Sequence, residues 1–563
     1  MVRLMQWSCL GLVCLLAFSE SSVFAAKKSK GPPSAIAHIF PAGGKTGTSF
    51  PITVAGTFTQ NPTTPWADHP GIALKTTAKP SVFDVTLAPD VPLGPHLLRF
   101  YNDDGASPPR VFMVGACEEV MEKEPNDDFR HPQVLAKIPA TINGVLEKTG
   151  DADTYSFHAE AGQWVVLALD GYGLGVQMDP AIRLMDEHGV ELAMSHDTYN
   201  LDPLIAYEVK KTGSYMVEVM AFVHPPAADA TFKGSADFTY RLTVTDHAFA
   251  RNAFPSAVQA GKDADIKFRG WNFGPTMEES QARKLPAVDP KSAEAAAGVI
   301  HLPTPNGETV LAAVVNSPVI AEAEPNNDSA HAQKVTLPAT ISGRIDAPKD
   351  EDRFRFTAKK GETVEFHLHA SSLHSPLDPV LHIEDAKGKL LKQSNDGAEN
   401  TDPVIKWTSP ADGEYLACVS DLYERGGWDF FYALECAPPQ PNLSATLDNN
   451  AYKVEPGKTA EVKVSVKLAG DFKGKLSIHT EGLPDGVSMK EVEIPKKGGE
   501  VKLTLTAGAE AKPANQPFAV LIETSAPEAP MTAKAVFDLR GVEPRGDRLI
   551  NEDSQPWLTV VGK

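Results

Sequence analysis

Short stretches in which hydrophobic and polar residues alternate recur along the whole chain. Tyr155-Ser156-Phe157 and the segments 460–466 and 501–505 alternate strictly, and 164–169 is a short apolar run. A period of two residues predicts β-strands, because successive side chains of a strand point to opposite faces. Glycines and Asp-Pro pairs interrupt these stretches at short intervals, as is typical of hairpins and turns. Because strong helical periodicity is absent, we expect an all-β protein built of tandem β-sandwich domains.

Two segments about 200 residues apart carry the same short motifs in the same order, which identifies an internal repeat. The matching pairs are 122–127 with 322–327, 142–144 with 341–343, 151–157 with 350–356, Asp179-Pro180 with Asp378-Pro379, Asp202-Pro203 with Asp402-Pro403, and 213–215 with 413–415. The spacing between successive motifs is nearly the same in both segments. The chain therefore contains two copies of one larger module.

A fainter repeat precedes each larger copy, and a different pattern follows the second. Phe40-Pro41 and Phe254-Pro255 are each followed by two glycines at the same distances, and strictly alternating strands begin after Pro438. The predicted units are a signal peptide at 1–25, a small β-sandwich at 35–115, a larger one at 118–246, a second small one at 249–317, a second larger one at 318–438, an immunoglobulin-like domain at 440–540 and a polar tail at 541–563. Within the tail, the apolar stretch that begins at Trp557 is expected to dock as a terminal strand.

The N-terminal segment has the features of a signal peptide. Arg3 precedes a short apolar run at 10–18, and Val23-Phe24-Ala25 offers the small-x-small pattern that signal peptidase cleaves. No later segment reaches the roughly 18 apolar residues that a membrane helix requires. We therefore expect a secreted, periplasmic or cell-surface protein without membrane insertion. The formal net charge of −20 argues against a nucleic-acid partner, because nucleic-acid phosphates repel an acidic protein.

The cysteines are too few for a disulfide framework. Of the five, Cys9 and Cys14 lie in the signal peptide, which leaves Cys117, Cys418 and Cys436. Cys418 and Cys436 fall in two predicted strands joined by a glycine loop, so a disulfide between them and a pair of buried free thiols are both compatible with the sequence, and free thiols are the more common outcome.

The repeated motifs resemble those of the bacterial pre-peptidase C-terminal (PPC) domain. The shared pattern is Glu-x-Glu-Pro-Asn-Asp/Asn, then Ile-x-Gly, Asp-x-Asp-x-aromatic-x-Phe, Asp-Pro and Gly-x-Tyr, and it covers 118–246 and 318–438. The segments that begin near Ala35 and Phe249 are similar to immunoglobulin-like TIG/IPT domains. The whole arrangement resembles exported proteins of planctomycete-type bacteria. The resemblance implies a jelly-roll-like sandwich that accompanies secreted peptidases without being the peptidase.

The resemblance also implies calcium sites, because collagenase-associated relatives bind calcium through the N-terminal linker and an aspartate pair. Carried over residue by residue, the ligands are Glu122, Glu124, Asn126, Asp127, Asp151 and Asp153 in the first copy, and Glu322, Glu324, Asn326, Asn327, Asp350 and Asp352 in the second. The residue types agree, since calcium prefers six to eight oxygen ligands. Asn327 replaces an aspartate, which removes a charge and predicts weaker binding in the second copy. The alternative is an acidic linker and a solvated turn without any ion.

Enzymatic motifs are absent from the sequence. It contains no Gly-x-Ser-x-Gly elbow, no His-Glu-x-x-His and no paired-cysteine zinc motif, so we expect a non-catalytic protein. His367 and His369 face one side of a predicted strand, as two zinc ligands would, but a polar outer face gives the same pattern. Trp271, Trp407 and Trp428 are sugar-stacking candidates, although packing is the commoner fate of tryptophan.

Three functions fit these observations. The leading one is an exported scaffold or adhesion protein whose calcium sites stiffen the domain junctions and hold an extended string that binds an extracellular protein or polysaccharide. The second is an accessory that binds a polymer, such as collagen-like protein or polysaccharide, for a secreted peptidase or other hydrolase. The third is a peptidase with an unrecognised active site. The sequence does not indicate an oligomeric state.

Overall fold

The structure of the chain is a computed structural model that describes residues 35–57, 63–225, 231–290, 292, 295, 297–397, 401–470, 472, 474–525, 531–541 and 546–562. The predicted signal peptide at 1–25 lies outside these residues. The fold is all-β, and its strands pair into facing sheets as expected of tandem β-sandwiches. In the described part of the chain, none of the helical segments combines the length and the hydropathy that crossing a bilayer takes.

The first sandwich encloses a core of alternating aliphatic and aromatic side chains. Its strands are β1 (Ala35–Phe40), β2 (Gly43–Lys45), β3 (Ser49–Thr57), β4 (Thr64–Ala67), β5 (Ile72–Thr76), β6 (Val82–Leu87), β7 (Gly94–Asn102), β8 (Gly105–Ala106) and β9 (Arg110–Gly115). One sheet has the order β1-β3-β6-β5 and the other β2-β9-β7-β4. Alternate residues of β3 and β6, such as Ile52 and Phe83, face Phe100 and Phe112 of the second sheet, because the period of two puts every other side chain inside.

The second sandwich is larger and consists of two five-stranded sheets. Its strands are β10 (Glu118–Met121), β11 (Gln133–Val134), β12 (Ala140–Val145), β13 (Asp153–Ala159), β14 (Trp164–Asp170), β15 (Asp179–Asp186), β16 (Glu191–Ser195), β17 (Leu204–Glu208), β18 (Gly213–Phe222) and β19 (Thr239–Thr245). The sheet orders are β10-β12-β19-β14-β17 and β11-β13-β18-β15-β16. Short parallel pairs, β10 with β12 and β11 with β13, attach the acidic linker to both sheets.

The third unit is a smaller sandwich of two three-stranded sheets. Its strands are β20 (Phe249–Phe254), β21 (Ala257–Gln259), β22 (Ala264–Trp271), β23 (Arg283–Leu285), β24 (Val299–Leu302) and β25 (Val310–Val315). The orders are β20-β22-β23 and β21-β25-β24. Phe268 lies at the centre of its core and is completely buried.

The fourth unit repeats the second sandwich strand for strand. Its elements are β26 (Val319–Ala321), β27 (Gln333–Lys334), β28 (Ala339–Arg344), β29 (Glu351–Ala358), β30 (Thr363–His369), a 3-10 turn at Ser371–Leu373, β31 (Pro379–Asp385), β32 (Leu390–Ser394), β33 (Val404–Thr408), β34 (Gly413–Asp421) and β35 (Phe431–Ala437). The orders β26-β28-β35-β30-β33 and β27-β29-β34-β31-β32 correspond to those of the first copy. Equivalent residues therefore occupy equivalent places in the two copies.

The last unit is a sandwich that the tail completes. Its strands are β36 (Asn442–Leu447), β37 (Ala451–Val454), β38 (Thr459–Ala469), β39 (Leu476–Glu481), β40 (Val487–Met489), β41 (Val492–Glu493), β42 (Gly499–Ala507), β43 (Ala514–Pro517), β44 (Ala519–Thr524), β45 (Thr532–Lys534), β46 (Phe537–Asp538), β47 (Glu552–Asp553) and β48 (Trp557–Val560). β48 lies between β37 and β43, parallel to the first and antiparallel to the second. The apolar stretch of the tail is thus a central strand of its sheet.

Each small sandwich packs on the larger one that follows it. Met113 of β9 belongs to the same buried cluster as Ile142 of β12, and the equivalent Ala313 of β25 packs with Ala433 of β35. Ser256 also donates its hydroxyl to the carbonyl of Tyr432 at 2.6 Å. Both junctions therefore use the same strand of the small sandwich, β9 or β25, although their individual contacts differ.

The domains do not form an extended row, because the first and the last are in contact. The guanidinium of Arg99 is fully buried and donates to the carbonyl oxygens of Asn450 (3.0 Å) and Gln555 (3.3 Å). Trp557 packs against Trp66 and Tyr101 of the first sandwich, at ring-centroid distances of 5.7 and 4.9 Å. The expectation of an extended string is therefore wrong: the chain folds back so that its last domain covers its first.

Candidate metal centre

The acidic linker of the first copy begins at Glu122, lies between β10 and β11, and is fixed to β12 and β13 by backbone hydrogen bonds. The amide of Glu122 donates to the carbonyl of Asn143 at 3.0 Å, and the amide of Thr154 donates to the carbonyl of Asn126 at 3.0 Å. Because Thr154 directly follows Asp153, this last bond brings the linker to the Asp-x-Asp motif. Two segments distant in sequence therefore place their acidic side chains together.

Four carboxylates of the first copy converge on one point. Glu124, Asp127, Asp151 and Asp153 each offer an oxygen atom, and these atoms all lie within 4.8 Å of one another. Asp151 and Asp153 are fully buried, whereas Glu124 and Asp127 are exposed. Carboxylates brought this close repel one another unless protons or a cation lie between them. Burial, and next the neighbouring Glu122, raise the pKa of Asp153 to about 10.

Asn126 adds an amide oxygen to this group. Its side chain is buried, and its Oδ1 atom lies 3.2 Å from Oε2 of Glu124 and 3.2 Å from Oδ1 of Asp153. Three oxygen atoms without a proton between them are unfavourable, and any of three arrangements removes the conflict. The amide can rotate by half a turn so that its nitrogen donates, a proton can remain on Asp153, or all three oxygens can bind a cation.

Glu122 has a different position from the other predicted ligands. Its Oε2 accepts from the amide of Val145 at 2.8 Å, and its Oε1 accepts from the hydroxyl of Tyr155 at 3.3 Å and from the amide of Asn126 at 3.3 Å. The side chain therefore joins the linker to β12 and β13. It borders the cluster of four carboxylates without being one of its members.

The second copy brings together fewer carboxylates, and Glu322 is one of them although its counterpart Glu122 is not a member of the first group. Glu322, Glu324 and Asp352 have oxygen atoms within 4.8 Å of one another, and Asp352 and Asn326 are fully buried. Oδ1 of Asn326 and Oδ1 of Asp352 have no hydrogen-bond partner. A buried acceptor without a partner costs about 1–3 kcal/mol, so these atoms fit an oxygen-liganded ion better than an empty space.

Asn327 changes the chemistry of the second site. Its side-chain amide donates to Oδ1 of Asp350, whose other oxygen accepts from the amide of Asp346 at 2.8 Å. Asp350 is thus satisfied by protein donors and lies outside the group of three carboxylates. In the first copy, Asp127 and Asp151 instead share the ammonium of Lys148, at 3.2 and 3.6 Å. The two sites therefore differ in charge although their backbones correspond.

A tyrosine that the sequence analysis did not single out completes each site. The hydroxyl of Tyr240 donates to Oδ2 of Asp153 at 2.6 Å, and that of Tyr432 donates to Oδ2 of Asp352 at 2.6 Å. This tyrosine explains the glycine of the Ile-x-Gly motif. A Cβ atom at Gly144 would overlap the phenol of Tyr240, and one at Gly343 would overlap the phenol of Tyr432. Tyr240 is the second residue of β19, and Tyr432 is the second residue of the corresponding strand β35. This recurrence of a tyrosine at the same place in both copies was the signal that could have found them.

The repeated Asp-Pro motifs have a structural role that is more specific than opening a turn. Asp202 accepts from three successive backbone amides, those of Gly171, Tyr172 and Gly173, at 2.7–3.1 Å. Asp402 accepts in the same way from the amides of residues 370, 371 and 372. The carboxylate holds a crossing loop that would otherwise have buried donors without acceptors.

The three remaining cysteines are free thiols. Cys418 on β34 and Cys436 on β35 are buried, and the glycine loop between these strands crosses from one sheet to the other. The two cysteines therefore lie in different sheets, and they form no disulfide. Burial, and next the charge of Glu308, raise the pKa of Cys117 to about 11, which disfavours a thiolate nucleophile there.

The other candidate residues are mostly packed. The rings of His367 and His369 lie 4.0 Å apart, and neither belongs to any group of three ligand atoms among the described residues. Trp271 and Trp407 are buried, and Trp428 packs edge-on against Trp271 at 5.4 Å. These tryptophans contribute to packing, so a sugar-stacking platform is not present at Trp271 or Trp407.

Comparisons with known proteins give partial matches. No model of a known protein family matches this chain. Over 103 residues it is 40% identical to a probable subtilase-type serine protease of Deinococcus radiodurans, a match that covers 17% of this chain and 14% of that protein. The chain thus spans only a small part of this curated relative.

Two solved structures align at low similarity. The pre-peptidase C-terminal domain of a collagenase from Bacillus anthracis matches 20% of this chain and 99% of that domain, with 13% identity and a TM-score of 0.16. An alpha-2-macroglobulin of Salmonella matches 93% of this chain and 40% of that protein, with 11% identity and a TM-score of 0.17.

Proposed function

We propose that this chain is an exported, non-catalytic scaffold or adhesion protein whose two larger PPC-like sandwiches are stabilised by calcium. The observation that carries the proposal is the convergence of buried, poorly satisfied oxygen atoms at the same place in both copies. In the first copy these are the oxygens around Asn126, and in the second they are Oδ1 of Asn326 and Oδ1 of Asp352. Calcium is the ion whose preferences match carboxylate and amide oxygens in an irregular, flexible arrangement.

The ligands that this proposal assigns come from both the linker and the sandwich. Asn126, Glu124 and Asp127 belong to the linker, whereas Asp153 begins β13 and Asp151 lies two residues before it. An ion held by both would order the linker between β10 and β11. Since that linker follows directly on the small sandwich, calcium would stiffen the junction between the two domains.

The first test compares unfolding and proteolysis in calcium and in EDTA. With a dissociation constant of about 10⁻⁴ to 10⁻³ M, 10 mM calcium would stabilise each site by about 1.4–2.7 kcal/mol. We expect a higher unfolding midpoint in calcium than in equimolar magnesium, and slower cleavage near Glu124 and Glu324. Identical midpoints and identical cleavage in calcium and EDTA would remove the calcium proposal.

The second test uses the natural difference between the copies. Asp127→Asn gives the first site the residue of the second, and Asn327→Asp does the reverse. Because each exchange changes one charge beside the ion, we expect the first variant to weaken calcium binding and the second to strengthen it, as measured by isothermal titration. Asp265→Asn, an exposed aspartate of β22, serves as the control and should leave both sites unchanged.

A polymer-binding accessory of a secreted peptidase is the second candidate. The 40% identity to a probable subtilase-type serine protease over 103 residues favours this role. Such an accessory would bring a collagen-like protein or a polysaccharide to its partner enzyme. Sedimentation of the purified chain with insoluble collagen or with polysaccharide distinguishes this accessory from a scaffold that acts purely as a spacer, since the spacer would stay in solution.

A further inference from the structure

The outer face of one sheet in the fourth unit carries a group of side chains that the calcium proposal does not use. Cys418 lies on the central strand β34, directly opposite Arg353 of β29 and His382 of β31. The thiol is completely buried, although its strand face points away from the core of the sandwich. Among the described residues, no hydrogen bond to this sulfur atom is found.

Three different ligand types meet at this place. Glu351, His382 and Cys418 each offer a ligand atom, and the three atoms lie within 4.8 Å of one another. In a tetrahedral zinc site with bonds of about 2.0–2.3 Å, ligand atoms are about 3.3–3.8 Å apart. Side-chain movements of about an ångström would therefore suffice to close the group around an ion. The side chains of His382 and Glu351 are 13% and 29% exposed, which leaves an approach from solvent.

We propose that Glu351, His382 and Cys418 bind a thiophilic divalent transition metal such as Zn²⁺, with water as the fourth ligand. Thiolate, imidazole and carboxylate are the ligands that zinc takes in proteins, and three protein ligands plus an open position is a common zinc arrangement. Its sulfur and nitrogen ligands distinguish this site from the oxygen-only clusters. Glu351 lies between Asp350 and Asp352 in sequence but faces the opposite side of β29 from Asp352. Binding replaces the proton of the Cys418 thiol by the metal, so one proton is released to solvent for each ion bound.

Glu384 is a positioning residue for this site. It lies 3.3 Å from Nε2 of His382 and accepts from Nη1 of Arg353 at 2.7 Å. A carboxylate behind a ligating histidine fixes the ring orientation and strengthens the ligand. Arg353 also forms an ion pair with Glu351. When the carboxylate of Glu351 binds the metal instead of Arg353, the carboxylate of Glu384 still neutralises the guanidinium of Arg353.

The first copy provides an internal contrast. The positions of Glu351, His382 and Cys418 correspond to Ala152, Arg183 and Glu218 there. Arg183 and Glu218 form a direct ion pair, which needs no metal. The same sheet face is thus satisfied by a salt bridge in one copy and offers a mixed sulfur, nitrogen and oxygen set in the other.

The experiment is a titration of the reduced full chain with Co²⁺, followed by Zn²⁺. A thiolate ligand gives Co²⁺ an intense near-ultraviolet charge-transfer band, which oxygen ligands at the calcium sites do not give. We expect this band at one equivalent, its loss on adding Zn²⁺, and its absence in Cys418→Ser. His382→Arg, which installs the residue of the first copy at a partly exposed position, should weaken Co²⁺ binding by at least about tenfold. Cys436→Ser, which removes a buried thiol from the opposite sheet, should leave the band unchanged.

Three results would overturn the assignment. One is a folded wild-type chain without a charge-transfer band at saturating Co²⁺. Another is a band that persists in Cys418→Ser, since the thiolate would then come from Cys117 or Cys436. The third is a band of unchanged affinity in His382→Arg, since His382 would then not be a ligand. Circular dichroism of each variant establishes that it is folded. Calcium binding is measured on the same samples, so failure of this site and failure of the calcium proposal are distinguished.

Discussion

Arg99→Met is expected to loosen the contact between the first and the last domain. The guanidinium is fully buried, donates to two carbonyl oxygens of the last domain and lies 3.5 Å from Asp553. Burial lowers the pKa of Arg99 to about 10, a value at which the group stays charged at neutral pH. Methionine has a similar length and packs well, so the change removes the charge and the hydrogen bonds with little loss of volume.

The magnitude follows from what the substitution leaves behind. Asp553, whose side chain is 10% exposed, loses its cationic partner, and the carbonyls of Asn450 and Gln555 lose a donor. Removing one partner of a buried ion pair costs about 3–5 kcal/mol. Because Asp553 retains some contact with water, we expect the lower end, about 3 kcal/mol.

The assay is urea denaturation of the whole chain together with limited proteolysis. We expect the first unfolding transition to move to lower urea and cleavage between the fourth and fifth domains to become faster. Arg130→Met is the matched control, since that side chain is 69% exposed and pairs with Asp128 at the surface, where such pairs contribute about 0–1 kcal/mol. An Arg99→Met chain with the urea profile and cleavage rate of wild type would refute the reasoning.

Two further predictions concern the fourth unit. Burial, and next the charge of Arg251, lower the pKa of His374 to about 3. Below about pH 6.5 the imidazole of His374 takes up a proton in the unfolded chain but not in the folded one. The free energy of unfolding therefore falls as the pH drops, by up to about 1.4 kcal/mol per pH unit. Asparagine suits the left-handed backbone at this residue (φ 63°), so His374→Asn should fold and should flatten the dependence of the unfolding free energy on pH between 7 and 5. An equally steep slope in the variant would show that His374 is not the source of this pH dependence. Gly343→Ala should cost about 1–3 kcal/mol and weaken calcium binding, because the new Cβ overlaps the phenol of Tyr432. Gly413→Ala, where the nearest atoms are 3.9 Å away, is its control, and equal thermal midpoints for the two alanine variants would disprove the steric argument.

The sandwich architecture was predictable because burial of one sheet face imposes a period of two on the sequence. The acidic clusters were predictable for a second reason, since a duplicated fold brings duplicated motifs to the same place twice. Asp153 and Asn126 therefore meet as the motifs indicated. Whether calcium binds there stays a prediction.

Other parts could not be read from local patterns. Tyr240 reaches Asp153 only because β19 pairs with β12, and alternation does not specify the order of strands in a sheet. Arg99 contacts residues more than 350 positions away, so no neighbouring residue signals its burial. The extended string was inferred from domain order alone, and domain order says nothing about contacts between the first and last units.

The bond between tyrosine and aspartate has a consequence for how these sandwiches fail. Tyr240 belongs to one sheet and Asp153 to the other, and the same holds for Tyr432 and Asp352. Each pair thus ties the two sheets together at the edge where the linker enters. When this hydrogen bond is lost, the two sheets separate at that edge and expose unpaired strands, which can pair with strands of other molecules. Damage at these sites would therefore appear first as aggregation in concentrated samples, before any loss of average secondary structure.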